Sequence, residues 1–170
     1  NLGNSADAFL ILRANDVGVS VFYVFLLLIL YNLIYALVSF PVGKLSDRIG
    51  RKHIIVVGWT IYVITYLLLA MASSEWYMLI IAITYGLYGG LADGVSKAFV
   101  ADIVSVRRRG IAYGLYHGMV GFALLLASVI AGVLWDNINP AAAFYFGAAM
   151  SGLAMVGMMF FVKELHAAAK

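Results

Sequence analysis

The sequence predicts an all-α membrane protein with six transmembrane helices, the first of them truncated, and three observations lead to this fold class. Hydrophobic residues make up 65% of the chain and charged residues only 11%, whereas a soluble domain is about half apolar and a quarter charged. The apolar residues are gathered in runs close to the ~20 residues that cross a bilayer. The charged residues lie mainly between those runs, so we expect lipid to surround the runs.

Five apolar runs are long enough to cross a bilayer, and they predict helices at residues 21–42, 53–72, 76–101, 111–134 and 141–162. A further run at residues 1–14 is shorter. At 1.5 Å per residue it covers only about 21 Å, so we interpret it as the outer part of a first span whose beginning precedes Asn1. Residues 1–170 then form a single transmembrane domain.

The basic residues indicate how the helices are oriented in the membrane. When loops are counted from the first span, nine of the 11 Lys and Arg residues fall on one side: Lys44, Arg48, Arg51, Lys52, Arg107, Arg108, Arg109, Lys163 and Lys170. Arg13 lies on the other side, and Lys97 lies inside a span. Because positively charged loops stay cytosolic during insertion, we expect the basic turns and the C-terminus in the cytoplasm. The formal charge of +3 therefore reflects topology, and we expect no nucleic-acid partner.

Two short segments indicate an internal repeat. GKLSD (43–47) and GVLWD (132–136) share a Gly-x-Leu-x-Asp pattern, and each ends the second helix of a three-helix group. One segment is on the predicted cytosolic side and the other is outside, so the two groups have inverted topology. Two inverted three-helix units are a building block of secondary transporters, although three matched positions can also arise by coincidence.

The densest charge in the chain lies in GKLSDRIGRK (43–52), between the second and third spans on the predicted cytosolic side. Its motif positions are Gly43, Leu45, Asp47, Arg48, Gly50, Arg51 and Lys52. This segment resembles the signature loop of the major facilitator superfamily. Residues 100–117, VADIVSVRRRGIAYGLYH, are similar to the connection before the eleventh helix of bacterial members, and NSADAFLILRA resembles the outer part of their seventh helix.

The resemblance implies that the chain is the C-terminal six-helix half of a twelve-helix carrier in the bacterial inner membrane. Such a carrier moves a small solute by alternating access between two rocking halves, and coupling to an ion such as the proton is expected. Its partners would be the lipid bilayer, the missing N-terminal half and an unknown small-molecule substrate. Two alternatives stay open: a stand-alone six-helix protein that dimerises into a carrier, and a non-transporting membrane scaffold or receptor.

Two residue types in the signature loop have a physical explanation. Gly43 and Gly50 allow a tight reversal between helices, where φ can be positive. Asp47 can accept hydrogen bonds from the free N–H groups at a helix start, and we expect that helix start in the missing half. The resemblance implies that the loop is a conformational latch between the halves. The alternative is an anchor that only obeys the positive-inside rule.

The three basic residues of the loop, Arg48, Arg51 and Lys52, can bind carboxylates or lipid phosphates at the membrane surface. Asp102, at the cytosolic end of the fourth span, is the predicted local partner of Arg48 or Arg51. If the loop is a latch, such contacts must differ between two conformations.

Two ionisable residues lie inside the fourth span. Asp93 and Lys97 are four residues apart on one helical face, and each charge costs about 2.5–3.5 kcal/mol at the middle of a membrane. We expect them to pair, either in a substrate or proton-coupling site or as a structural ion pair with Lys97 extended toward the cytosol. Further candidates for the substrate or proton site are Asp7, Asn32, Tyr35 and His117.

Small residues recur at every fourth position in two spans. One stripe consists of Ala82, Gly86, Gly90, Gly94 and Ala98, and the other of Gly110, Gly114 and Gly118. Because small residues let helices approach closely in lipid, we expect both stripes to pack against neighbouring helices.

The composition and motifs disfavour an enzyme. The absence of cysteine excludes disulfides and thiolate chemistry. The sequence also contains no phosphate-binding loop, no His-Glu-x-x-His motif and no nucleophile arrangement. We therefore expect neither a metal nor a cofactor.

Overall fold

A computed structural model describes residues 8–162, all of whose regular structure is helical. The six α-helices are α1 (Ala8–Asp16), α2 (Val21–Ile49), α3 (Arg51–Met71), α4 (Glu75–Ile103), α5 (Arg109–Asn137) and α6 (Pro140–Phe161), with one turn of 3₁₀-helix at Val106–Arg108. Within the described residues, α2 to α6 are each long and apolar enough to cross a membrane. The predicted all-helical membrane fold is confirmed.

Local sequence explains where several helices begin and end. Ser20 caps α2, its Oγ accepting a hydrogen bond from the Tyr23 N–H at 3.3 Å, and such caps satisfy an N–H group that has no partner within the helix. Asn139 caps α6 in the same way, accepting from the Ala142 N–H at 2.8 Å. Pro140 follows in the first turn of α6, where its missing N–H is not needed.

The helices form an antiparallel bundle in which α4 lies between α2 and α3. Beyond α3 the order continues with α6 and then α5, so that α4 and α5 have little direct contact. The largest fully buried side chains are Phe144, Leu69, Met78, Ile81 and Thr65. The short α1 packs near one end of the bundle, where Phe9 and Trp135 are in edge-to-face contact with ring centroids 5.7 Å apart.

The two ends of the bundle differ in charge. We call residues 43–52 and 106–109 the basic end, where α2, α4 and α6 finish and α3 and α5 begin. The turns at residues 17–20, 72–74 and 138–139 form the opposite end, which has acidic residues at Asp16, Glu75 and Asp136 beside it. The basic turns predicted to share one side of the membrane therefore lie at one end of the bundle.

Long apolar faces on α2 and α5 are exposed. Phe22 and Phe25 on α2 are 73% and 60% exposed, and Ile111 and Phe122 on α5 are 77% and 66% exposed. A soluble protein rarely leaves continuous apolar surface of this size in water. Together with the five spanning helices, these faces identify an integral membrane protein.

Candidate functional site

The signature segment (residues 43–52) forms the end of α2, a one-residue break and the start of α3. Gly50 is the break, with φ +95°, a conformation that residues with a Cβ rarely adopt. The same prediction for Gly43 was wrong, because α2 continues to Ile49 and includes Gly43 in its regular turns. The apolar run ends at Val42, but no helix-breaking residue follows it until Gly50, so the helix extends beyond the apolar part.

Arg51 connects two carboxylates at the basic end. Its Nη2 lies 3.1 Å from Asp47 Oδ1, and its Nε lies 3.1 Å from Asp102 Oδ2. Of the two arginines considered for Asp102, it is therefore Arg51 that contacts it. The link joins the last turn of α2 to the last turn of α4 through the first residue of α3. Within residues 8–162, Asp47 contacts this arginine rather than the start of a helix.

Lys52 and Arg13 bind carbonyl oxygens at the ends of other helices. Lys52 Nζ donates to the carbonyls of Met159 and Val162 at 2.9 and 2.6 Å, whereas a carboxylate or phosphate partner was expected. Arg13, to which no role was assigned from sequence, donates to the carbonyl oxygens at the end of α3. A cation is favoured there, because the last carbonyls of a helix lack partners within it.

Asp93 and Lys97 are close enough to interact inside the predicted membrane region. Lys97 Nζ lies 3.4 Å from Asp93 Oδ2, and the hydroxyl of Tyr35 on α2 lies 3.4 Å from the same oxygen. The two charged side chains are 43% and 53% exposed, so the pair lies at a surface of the bundle. Tyr113 on α5 donates to the Lys97 carbonyl at 3.2 Å and holds α5 near α4 at this level.

A cavity of about 650 Å³ lies between α3, α4, α5 and α6, and Asp93 is at its wall. Its other polar and large side chains include Trp59, Tyr62, Tyr88, Ser96, Tyr116, Met119, Met150 and Ser151. The lining is thus mostly aromatic and apolar, with one carboxylate among the described residues. Such a composition is typical of sites for small organic molecules.

The remaining candidates for the substrate or proton site are not brought to this cavity wall. Asn32 donates to the Leu28 carbonyl of its own helix at 2.7 Å. His117 is exposed on α5 and contacts the ring of Tyr116 with centroids 5.2 Å apart. Asp7 lies outside the described residues. Their predicted roles stay predictions.

The two small-residue stripes differ in what they contact. A Cβ built on Gly86 would lie 2.8 Å from the Tyr31 carbonyl oxygen, and one on Gly90 would lie 2.8 Å from Val38 Cβ, so both glycines allow α2 to approach α4.

The predicted packing was wrong for the other glycines of the two stripes. Built Cβ atoms on Gly94, Gly110, Gly114 and Gly118 meet no described atom within 4 Å. The physical reason is the helix order, in which α5 packs mainly against α6 and leaves this glycine face uncovered.

A sequence model of the Major Facilitator Superfamily matches residues 4–170. The chain belongs to the Major Facilitator Superfamily. The resemblance noted in the signature segment is thereby confirmed, and the function is membrane transport rather than enzymatic catalysis. The described residues contain no group of three His, Asp or Glu side chains that could hold a metal.

Several curated members of the family are similar to this chain. An uncharacterized MFS-type transporter of Methanocaldococcus jannaschii is 38% identical over 91% of the chain. The class E tetracycline resistance protein of Escherichia coli is 28% identical over 82%, and the multidrug resistance protein MdtG of Proteus mirabilis is 33% identical over 72%. The chain spans only 41%, 34% and 30% of the length of these three proteins.

Proposed function

We propose that this chain is one six-helix half of a twelve-helix carrier that moves a small solute by alternating access, with coupling to protons through Asp93. The observation that carries the proposal is the position of this carboxylate. It lies in the interior of a spanning helix, at the wall of a cavity and half exposed. An ionisable residue at this depth is costly in lipid and is retained where a transported ion or substrate uses it.

The exposed faces of α2 and α5 support a second six-helix unit as partner. Each face is apolar along most of its helix, and the relatives are more than twice as long as this chain. An N-terminal half packed on these faces would place the solute site between the two units, near the middle of the membrane. In this arrangement the basic end and the C-terminus face the cytoplasm of a bacterial inner membrane.

Arg51 and its two carboxylates are suited to the latch role. The contact joins three helix ends, so any motion that separates α2 from α4 at the basic end must break one of its ion pairs. A contact made in only one of two conformations shifts the balance between them by its own free energy. Lipid phosphates would then compete for the arginine at the membrane surface.

The cavity and the relatives together favour an amphipathic aromatic substrate. Rings from Trp59, Tyr88 and Tyr116 and the thioethers of Met119 and Met150 can contact a flat apolar molecule. Two of the relatives are named for resistance to tetracycline or to multiple drugs. Export of compounds of this kind is the substrate class that we propose.

The test uses proteoliposomes that contain the complete protein, with an imposed pH gradient and with tetracycline and ethidium as probes. We expect gradient-driven transport of at least one probe, and we expect Asp93→Asn to reduce it more than tenfold, since the neutral amide cannot exchange a proton. Glu75→Gln is the matched control, because Glu75 is an exposed acid in the first turn of the same helix.

Three outcomes would contradict parts of this proposal. Full transport by Asp93→Asn would exclude proton coupling through that residue. Failure of the wild-type protein to move either probe would exclude the substrate class. Saturable transport by vesicles that contain only residues 1–170 would show that a dimer of this chain suffices, without an N-terminal half.

A further inference from the structure

We propose that Gly89 is a positioning residue for Asp93 and acts through Tyr35. The inference rests on the proposed role of Asp93 in transport. In this arrangement, the absence of a side chain at residue 89 lets the ring of Tyr35 lie against α4, and the ring then carries its hydroxyl to the Asp93 carboxylate. Neither Gly89 nor this contact is apparent from the spacing of small residues in the sequence.

The contacts of Tyr35 with α4 extend over one helical turn. Gly89 precedes Asp93 by four residues, so the two lie on the same face of the helix. A Cβ built on Gly89 would be 2.7 Å from Tyr35 Cδ2 and 3.3 Å from Cε2. The first distance is shorter than carbon atoms tolerate, so any side chain at residue 89 must displace the ring.

Gly89 differs from the two other glycines that face α2. A Cβ on Gly86 would meet the Tyr31 carbonyl oxygen, and one on Gly90 would meet Val38 Cβ. Those atoms belong to or adjoin the backbone of α2, so Gly86 and Gly90 determine how closely the two helices approach. The built Cβ on Gly89 meets the ring of one side chain, so a substitution there acts on Tyr35 first.

The hydroxyl contact is sensitive to a small displacement of the ring. Tyr35 Oη is 3.4 Å from Asp93 Oδ2, near the outer limit for a hydrogen bond. A shift of the ring of about 0.5 Å would therefore break it. The same carboxylate oxygen is 3.4 Å from Lys97 Nζ, so loss of the hydroxyl leaves the lysine as its remaining donor on the α2–α4 side, while Tyr88 and Tyr116 face it from the cavity.

The experiment compares Tyr35→Phe, Gly89→Ala and the double variant in the complete protein. The first readout is the infrared C=O band of protonated Asp93 at low pH, assigned by subtracting the spectrum of Asp93→Asn. Loss of a hydrogen bond to a carbonyl raises its stretching frequency, so both single variants should move the band upward by the same amount. The double variant should move it no further, because Gly89→Ala acts through the hydroxyl that Tyr35→Phe removes.

The second readout is proton-driven transport of the probe that the wild-type protein moves. We expect each single variant to lower turnover about five- to tenfold, the effect of losing one hydrogen bond, with non-additive loss in the double variant. Gly94→Ala is the matched control, because a Cβ there meets no described atom within 4 Å. It should leave the infrared band unchanged.

The results separate this inference from the proposed function. An unchanged band in Tyr35→Phe would overturn the inference even if Asp93→Asn abolishes transport. A shifted band together with full transport by Asp93→Asn would support the positioning but reject the role of Asp93. Should Gly89→Ala fail to fold, Tyr35→Phe still decides whether the hydroxyl contacts Asp93, and Gly89→Ser then tests the displacement.

Discussion

At the scale of single residues, two cations bind the ends of helices to which they do not belong. Arg13 on α1 donates to the carbonyls of Leu69 and Ala72 at 3.1 and 2.9 Å, at the end of α3. Lys52 on α3 binds the end of α6, where it donates to the Val162 carbonyl. Because these carbonyls lack partners within their own helices, each cation supplies hydrogen bonds that the helix end itself cannot make.

We expect Arg13→Ala to lower the free energy of unfolding by about 2 kcal/mol, since hydrogen bonds from a charged donor contribute about 1.5–3 kcal/mol. The Arg13 side chain is only 12% exposed, so water would replace its bonds poorly. The measurement is denaturation of the protein in mixed micelles, followed by circular dichroism. Arg107→Ala is the control, because Arg107 is exposed at the basic end; an equal loss in both variants would contradict the role of Arg13.

At the scale of elements, α4 is the helix on which the bundle is organised. One side of it approaches α2 at Gly86 and Gly90, and another approaches α3, where a Cβ on Gly58 would lie 3.1 Å from Ala92 Cβ. Close approach of backbones increases van der Waals contact, which stabilises helix pairs in lipid because the hydrophobic effect does not. The same helix carries Asp93, so the packing of α4 also places the proposed site.

Two substitutions on α4, one turn apart, test this packing. Gly90→Ala should destabilise the protein by about 1–3 kcal/mol, the usual cost of inserting a methyl group into a packed contact. Gly94→Ala should be neutral or stabilising by up to about 1 kcal/mol, because alanine favours helix over glycine and its Cβ has free space. Unfolding in mixed micelles measures both. Equal effects would show that helix propensity, not contact with α2, determines stability at these positions.

At the scale of the whole molecule, charge and apolar surface are separated. The basic turns lie at one end of the bundle, and large apolar faces run along α2 and α5 between the ends. Lipid or another apolar unit must cover those faces, since exposure to water would be unfavourable. The position of the basic end then predicts how the bundle is inserted.

Single cysteines test this orientation directly, because the chain has no cysteine of its own. In intact cells, a membrane-impermeant maleimide should label Asn137→Cys, at the end of α5, and should not label Ser105→Cys until the membrane is opened. Both residues are exposed, so accessibility to the reagent depends on the side of the membrane. The reverse pattern would contradict the cytosolic assignment of the basic end.

Most of the fold could be predicted from sequence, while much of the site could not. Hydropathy located the five spanning helices, but α2 extends past its apolar run to Ile49 and takes Gly43 into the helix. The Asp93–Lys97 pair follows from helical spacing alone. In contrast, the contact of Arg51 rather than Arg48 with Asp102 depends on how α3 and α4 are rotated against each other, and spacing does not contain that rotation.

The sequence by itself determined that the chain lies in lipid, which residues form its spanning helices and which family it belongs to. These properties depend on apolar runs and motifs whose residues are neighbours in the chain. Only the tertiary structure decided that Arg13 and Lys52 bind helix ends 59 and 110 positions away, and that Gly89 seats the ring that reaches Asp93. Such contacts depend on the packing of whole helices, because a shift of less than an ångström between two helices makes or breaks a hydrogen bond.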